Sequence, residues 1–89
     1  MDLARHYRIR GRVQGVGYRY FTLRIALRLG VRGWVRNLPD GCVEVHAEAA
    51  AAVLEDFRVE LERGPGSSEV TEVIAETARS GSHSTFEIR

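Results

Sequence analysis

Eighty-nine residues with 44% apolar and 28% charged side chains have the balance of one small folded domain, not of a disordered or fibrous chain. No apolar run reaches membrane length and no cleavable leader pattern is present, so the chain reads as a soluble, cytoplasmic protein with no membrane partner. A formal net charge of +1 gives no overall pull toward nucleic acid, and the single cysteine, Cys42, excludes an internal disulfide and any cysteine-based metal site.

The first predicted element is a strand. Tyr7, Ile9, Gly11 and Val13 share one parity while His6, Arg8, Arg10 and Arg12 share the other, which is the pattern of one buried and one wet face. Gly15 and Gly17 follow, with Arg19 just behind them at the mouth of the next helix. Without a Cβ, both glycines can take φ > 0 and turn successive N–H groups toward one point. Beside a helix N-terminus such a turn is an anion site, and Arg19 adds a permanently charged planar fork suited to phosphate. The same residues also fit a plain strand-to-helix turn, and a short glycine motif alone does not separate the two.

Phe21, Ile25 and Leu29, with Thr22 and Ala26 beside them, predict an amphipathic helix capped by Gly30, with Arg24 and Arg28 pointing away. In the second strand Val31, Gly33, Val35 and Asn37 alternate with Arg32, Trp34 and Arg36. Pro39-Asp40-Gly41 then turns the chain: proline presets φ, aspartate tolerates the corner and glycine takes the positive φ. The third strand returns with Val43, Val45 and Ala47 inward and Glu44, His46 and Glu48 outward. A second helix is expected from about Ala49, with Val53 or Leu54, Phe57 and Leu61 as its stripe and Gly64-Pro65 as its stop. Val70 to Ala78 reads as a fourth strand, and a polar loop through Ser80, Gly81 and Ser82 leads to a short closing strand with Phe86 and Ile88 inward.

The order is β-α-β-β-α-β with a small strand appended, one domain over residues 1–89. Elements with one apolar face each require a two-layer α+β sandwich of the ferredoxin-like kind, both helices on one face of an antiparallel sheet. The open face carries Arg8, Arg10, Arg12, Arg32 and Arg36 beside Glu44, Glu48 and Glu87, and reads as a solvated surface of charge pairs. In this topology the first two strands run parallel with the third between them. Their C-terminal ends meet at one edge, so Asn37 comes to the glycine turn and Arg19. An asparagine before a turn also bonds its own local backbone, so Asn37 has a purely local reading as well.

Other chemistry finds little support. No Gly-Lys-Ser/Thr follows the loop, and the dinucleotide pattern is absent. His6, His46 and His83 are scattered and none shares a local spacing with an acid, so neither a triad nor a zinc site is indicated. Cys42 falls on the outward parity beside a turn, a surface thiol without a visible base. The expectation is no metal and no cofactor.

Gly11-Arg-Val-Gln-Gly-Val-Gly-Tyr-Arg19, then Gly33-Trp-Val-Arg-Asn-Leu-Pro-Asp-Gly-Cys-Val-Glu-Val45, then Phe86-Glu-Ile88, resembles the acylphosphatases over nearly the whole chain and in the right order. The resemblance implies hydrolysis of the carboxyl–phosphate bond of acyl phosphates, without metal or covalent intermediate. It implies a phosphate cradle of backbone N–H groups from Gln14, Gly15, Val16, Gly17 and Tyr18, an arginine on the phosphate oxygens at Arg19, and an asparagine positioning the attacking water at Asn37. Inorganic phosphate is then both product and inhibitor. Tyr18 departs from the phenylalanine usual before the arginine, and its hydroxyl needs a partner. Ala49 stands where a glycine is common after the third strand.

The alternative is a non-enzymatic ferredoxin-like module binding a small anion or RNA. Trp34 is the one large aromatic on the open face and the RNA-binding aromatic motif is missing, so no nucleic-acid partner is expected. No large apolar patch asks for a partner chain, and the expectation is a monomer.

Overall fold

The computed structural model describes residues Met1–Arg89. The elements run β1 (Asp2–Arg12), α1 (Tyr18–Leu29), β2 (Arg32–Asn37), β3 (Val43–Ala50), α2 (Ala51–Arg63), β4 (Glu69–Thr77) and β5 (Phe86–Ile88). The five strands form one sheet in the order β4-β1-β3-β2-β5. β1 pairs antiparallel with β3 and β4, and β2 antiparallel with β3, as a split β-α-β requires. β5 extends the other edge by pairing parallel to β2, with Gly33 opposite Phe86.

Tyr7, Ile9, Val35, Val43, Val45 and Ala47 line the inner face of the sheet, and Ile25, Ala26, Leu54, Phe57 and Leu61 cover it from the helices. Burial of apolar side chains on this scale is the main force holding the layers together. The stripe of α1 is rotated from expectation: Tyr18, Thr22, Ile25 and Ala26 are buried, while Phe21 and Leu29 are only half-buried. The hydroxyl of Thr22 donates to the Tyr18 carbonyl one turn back at 2.9 Å, so its burial leaves no open polar group.

One boundary and two residue placements differ from the sequence expectation, each for a local reason. β3 continues through Ala49 and Ala50, because pairing with Leu3 and Asp2 of β1 overrides the helix propensity of alanine; α2 therefore starts at Ala51. β1 carries a bulge between Arg10 and Gly11, so Gly11 is not an inward position. It takes φ 126° and lies against the carbonyl oxygen of Glu69, where a Cβ would collide. Phe86 is buried as expected, but Ile88 is exposed, because it borders the open cleft beside the start of α1.

The open face is also less open than its parity suggests. Arg36 pairs with Glu44 at 2.5 Å, His6 reaches the same carboxylate at 2.7 Å, and Arg32 pairs with Asp2. His46 and Glu48, expected outward, are buried because the loop from 78 to 85 folds over them: the Gly81 N–H donates to Glu48 Oε2 at 2.8 Å. Cys42, expected at the surface, is buried too, among Arg8, Arg10, Asp40 and Ile74. It precedes the first paired residue of β3, so strand parity does not govern it.

Candidate active site

The C-terminal ends of β1 and β2 meet at one edge of the sheet, and between them lies a cleft of about 180 Å³. Gly15, Gly17 and Arg19 line it from the loop and helix that follow β1, and Asn37 lines it from the end of β2. Val13 and Tyr18 form its buried floor, while Tyr20 and Ile88 stand exposed at its rim.

The loop between β1 and α1 owes its shape to two left-handed residues, Gly15 at φ 73° and Gly17 at φ 78°. Added Cβ atoms at these positions would meet nothing within 4 Å, so the backbone conformation alone asks for glycine. None of the backbone N–H groups from Gln14 to Tyr20 donates a hydrogen bond within the chain; the first helical bond runs from the Phe21 N–H to the Gly17 carbonyl at 3.0 Å. A left-handed turn running straight into a helix N-terminus therefore presents a row of unused donors at the positive end of the helix dipole.

Several contacts hold this loop in place. The Tyr18 hydroxyl donates to the Leu61 carbonyl at 2.6 Å, which ties the start of α1 to α2 and supplies the partner that a tyrosine here needs. Burial pushes that phenol well up, so it stays a neutral donor. The Ser67 hydroxyl donates to the Val16 carbonyl at 3.0 Å, buttressing the loop from the turn after α2. The Gln14 side chain points away from the cleft: its Nε2 donates to the carbonyls of Leu38 at 2.7 Å and Cys42 at 2.8 Å. It thus straps the glycine loop to the turn that carries Asn37.

That turn is closed a second time by Asp40. Its Oδ1 accepts the Cys42 N–H at 3.0 Å, and its other oxygen pairs with Arg8. The Cys42 N–H, then Arg8, hold its carboxyl below the usual aspartate range. Asn37 itself is half-buried, and its Oδ1 is buried with no hydrogen-bond partner in the chain. An unpaired buried acceptor costs about 1–3 kcal/mol, a penalty that a donor entering the site relieves. The Arg19 side chain is exposed, with one long hydrogen bond at 3.4 Å from NH1 to the Arg89 carbonyl. Its charge is otherwise unpaired.

The structure brings Gly15, Gly17, Tyr18, Arg19 and Asn37 to one cleft and places Gln14 and Val16 in the same loop. Sequence reasoning did not foresee the Gln14 strap or the rim residues Tyr20 and Ile88. An amide after a strand carries no signal of which carbonyls it will reach, and Ile88 looked like one more inward strand residue. No histidine, cysteine, aspartate or glutamate lines the cleft.

A family model described as acylphosphatase matches residues 5–88 of the chain. The chain is 50% identical over 72 residues to an acylphosphatase of Nitrobacter hamburgensis, covering 81% of this chain and 73% of the relative. It is 43% identical over 83 residues to one of Syntrophotalea carbinolica, covering 92% and 90%. Among solved structures, the acylphosphatase of Bacillus subtilis superposes with a TM-score of 0.94 at 37% identity, over 100% of this chain and 99% of that one. The acylphosphatase of Coxiella burnetii superposes at 0.95 and 31%, over 99% and 93%.

Proposed function

The chain belongs to the acylphosphatase family and hydrolyses acyl phosphates, and from that premise we propose that the cleft between β1 and β2 is where it does so, by holding the phosphate and positioning water. The observation that carries the proposal is the row of unused N–H donors from Gln14 to Tyr20 beside an unpaired guanidinium and an orphaned acceptor. The N–H groups of Gln14 to Tyr18 surround the phosphate oxygens. Arg19 binds the same oxygens through its planar fork. The Asn37 Oδ1 accepts a hydrogen bond from the attacking water and so fixes it in line with the bond to be broken.

This division suits the substrate. Water adds to phosphorus, the P–O bond to the acyl group breaks, and a carboxylate departs with the electron pair. Because carboxylate is a good leaving group, no strong general acid is required. A loose phosphoryl transition state asks mainly for positioning and for charge stabilisation on the non-bridging oxygens. Fixed N–H dipoles and one guanidinium supply the stabilisation without reorganising as charge develops. The proton of the water passes to a phosphate oxygen, since no histidine or carboxylate lines the cleft to take it and the Arg19 guanidinium is already protonated. No set of metal ligands lines the cleft, so we assign no metal to the step.

The protein works as a monomer in the cytoplasm on this reading. Among the exposed large apolar residues, Tyr20 and Ile88 belong to the rim of the cleft and Leu27 and Val59 stand on α1 and α2, the single cysteine is free, and no helix is long and apolar enough to cross a membrane. The test of the site is inhibition by inorganic phosphate and by sulfate during hydrolysis of a simple acyl phosphate. Both should compete with substrate, since each fills the same ring of donors. Non-competitive inhibition, or none, would show that the loop is only a turn.

A further inference from the structure

Three side chains outside the cleft meet on the other face of the sheet. His46 and Glu48, two apart on β3, point the same way, and His83 comes down on them from the loop between β4 and β5. The His46 Nε2 lies 2.7 Å from Glu48 Oε2, and the His83 Nε2 lies 4.0 Å from that same oxygen. One ligand atom from each residue falls within 4.8 Å of the other two. His46 and Glu48 are buried and His83 is half-buried. Burial pushes the Glu48 carboxyl up, but the His46 hydrogen bond, the Gly81 N–H and the nearby imidazoles outweigh it, so the carboxylate stays ionised.

We propose that His46, Glu48 and His83 form a binding site for a divalent transition ion of the Zn²⁺ kind, which clips the loop from 78 to 85 onto β3. Two imidazoles and one carboxylate are a donor set for late first-row ions, whereas Mg²⁺ and Ca²⁺ select oxygen ligands. With bonds of about 2.1 Å in a tetrahedral arrangement, ligand atoms stand about 3.4 Å apart. The separations present bracket that value. Opening the His46–Glu48 contact slightly and swinging His83 inward brings all three to one centre, with the fourth position left to water.

The surroundings favour such a use. The Gly81 N–H, donating to Glu48 Oε2 at 2.8 Å, orients the carboxylate and holds the loop within reach. The Trp34 ring stacks on His46, centroids 5.9 Å apart and tilted by 18°, and fixes that imidazole from one side. A buried carboxylate among imidazoles is a costly arrangement for a surface loop to keep when apolar residues would serve as well. The cluster sits opposite the start of β2, where Glu48 faces Arg32 and His46 faces Trp34, while Asn37 ends that strand. The ion is therefore structural and takes no part in hydrolysis.

The experiment uses the tag-free, chelator-stripped chain. Zn²⁺ is titrated in competition with a chromophoric chelator while the emission of Trp34, the single tryptophan, is followed. The expected result is one Zn²⁺ per chain, a change in Trp34 emission that saturates at that ratio, a raised Tm, and no displacement by excess Mg²⁺. His83→Asn, on an outer loop and safe for the fold, should weaken binding by ~10-fold or more, as should Glu48→Gln. His6→Asn, which alters the neighbouring His–Glu pair, should leave binding unchanged. Uptake of no Zn²⁺ by the wild-type chain would overturn the site and leave the cluster a His–Glu clasp. So would binding that survives His83→Asn or is lost in His6→Asn. Hydrolysis of acyl phosphate is measured in parallel, so a failure of the catalytic reading shows separately from a failure of this one.

Discussion

At the scale of single residues, Arg19 and Asn37 should fail in different ways. Arg19→Ala should weaken phosphate binding and rate together, and lysine should restore little, because a point charge cannot reproduce a bidentate fork. Asn37→Ala should bind phosphate almost normally while kcat falls about 10²–10³-fold, the usual cost of losing one positioned polar group. Since the Asn37 Oδ1 has no partner in the chain, its removal should not lower stability. Calorimetric phosphate affinity beside kcat checks both variants, and equal loss of affinity would refute the division of labour. Cys42 shows where residue-level reading fell short. Alternation placed it at the surface, but it is buried beside Arg8 and Asp40 just ahead of β3. Cys42→Ser should nonetheless cost less than about 1 kcal/mol, because Arg8 and Asp40 offer the hydroxyl hydrogen-bond partners, read as a nearly unchanged denaturation midpoint with turnover kept. Loss of turnover with the fold intact would mean that the thiol takes part.

At the scale of elements, the site is a product of two turns held in register. In the proposed site the glycine loop and α1 supply donors, and the end of β2 supplies the acceptor, but neither fixes the other by chain connectivity. The Gln14 amide does so, with one hydrogen bond to Leu38 and one to Cys42. Gln14→Ala should leave both carbonyls less well satisfied and cost about 1–3 kcal/mol of stability. It should also lower kcat more than phosphate affinity, since Asn37 drifts while the N–H groups of the loop remain. Phosphate affinity falling as far as kcat would show that Gln14 shapes the cradle instead. The glycines, Arg19 and Asn37 were legible because their conformational and topological demands are written in residue type and strand order. The strap was not, because the reach of a glutamine amide depends on where a non-adjacent turn finally packs. His46, Glu48 and His83 correct the reading that no histidine is spaced with an acid: His46 and Glu48 stand two apart on β3 within hydrogen-bond distance, and the fold of the 78–85 loop buries them and adds the third.

At the scale of the whole molecule, the sheet separates two kinds of chemistry: an edge with unused donors, and a face laced with charge pairs. That face predicts how the protein responds to acid. The Cys42 N–H and Arg8 lower the Asp40 pKa from an ordinary value of 3.8. Burial raises that of Glu44, but hydrogen bonds from His6 and Arg36 more than offset it, so it too lies below its ordinary 4.5. Carboxyls with a lowered folded pKa take up protons more readily in the unfolded chain. Their stabilisation is complete above the unfolded values and drains away as pH falls through about 4.5 toward the folded ones. Most pairs on this face are solvent-exposed and individually weak, so the effect is the sum of several small terms. The midpoint of urea denaturation, followed by circular dichroism, should hold steady from neutral pH to mild acid and then decline. Glu44→Gln should start lower at neutral pH and decline less steeply, because it no longer has a proton to take up. A wild-type midpoint that rises in this range, or a variant with an unchanged slope, would mean that the charge pairs of the open face contribute nothing to holding β1, β2 and β3 together.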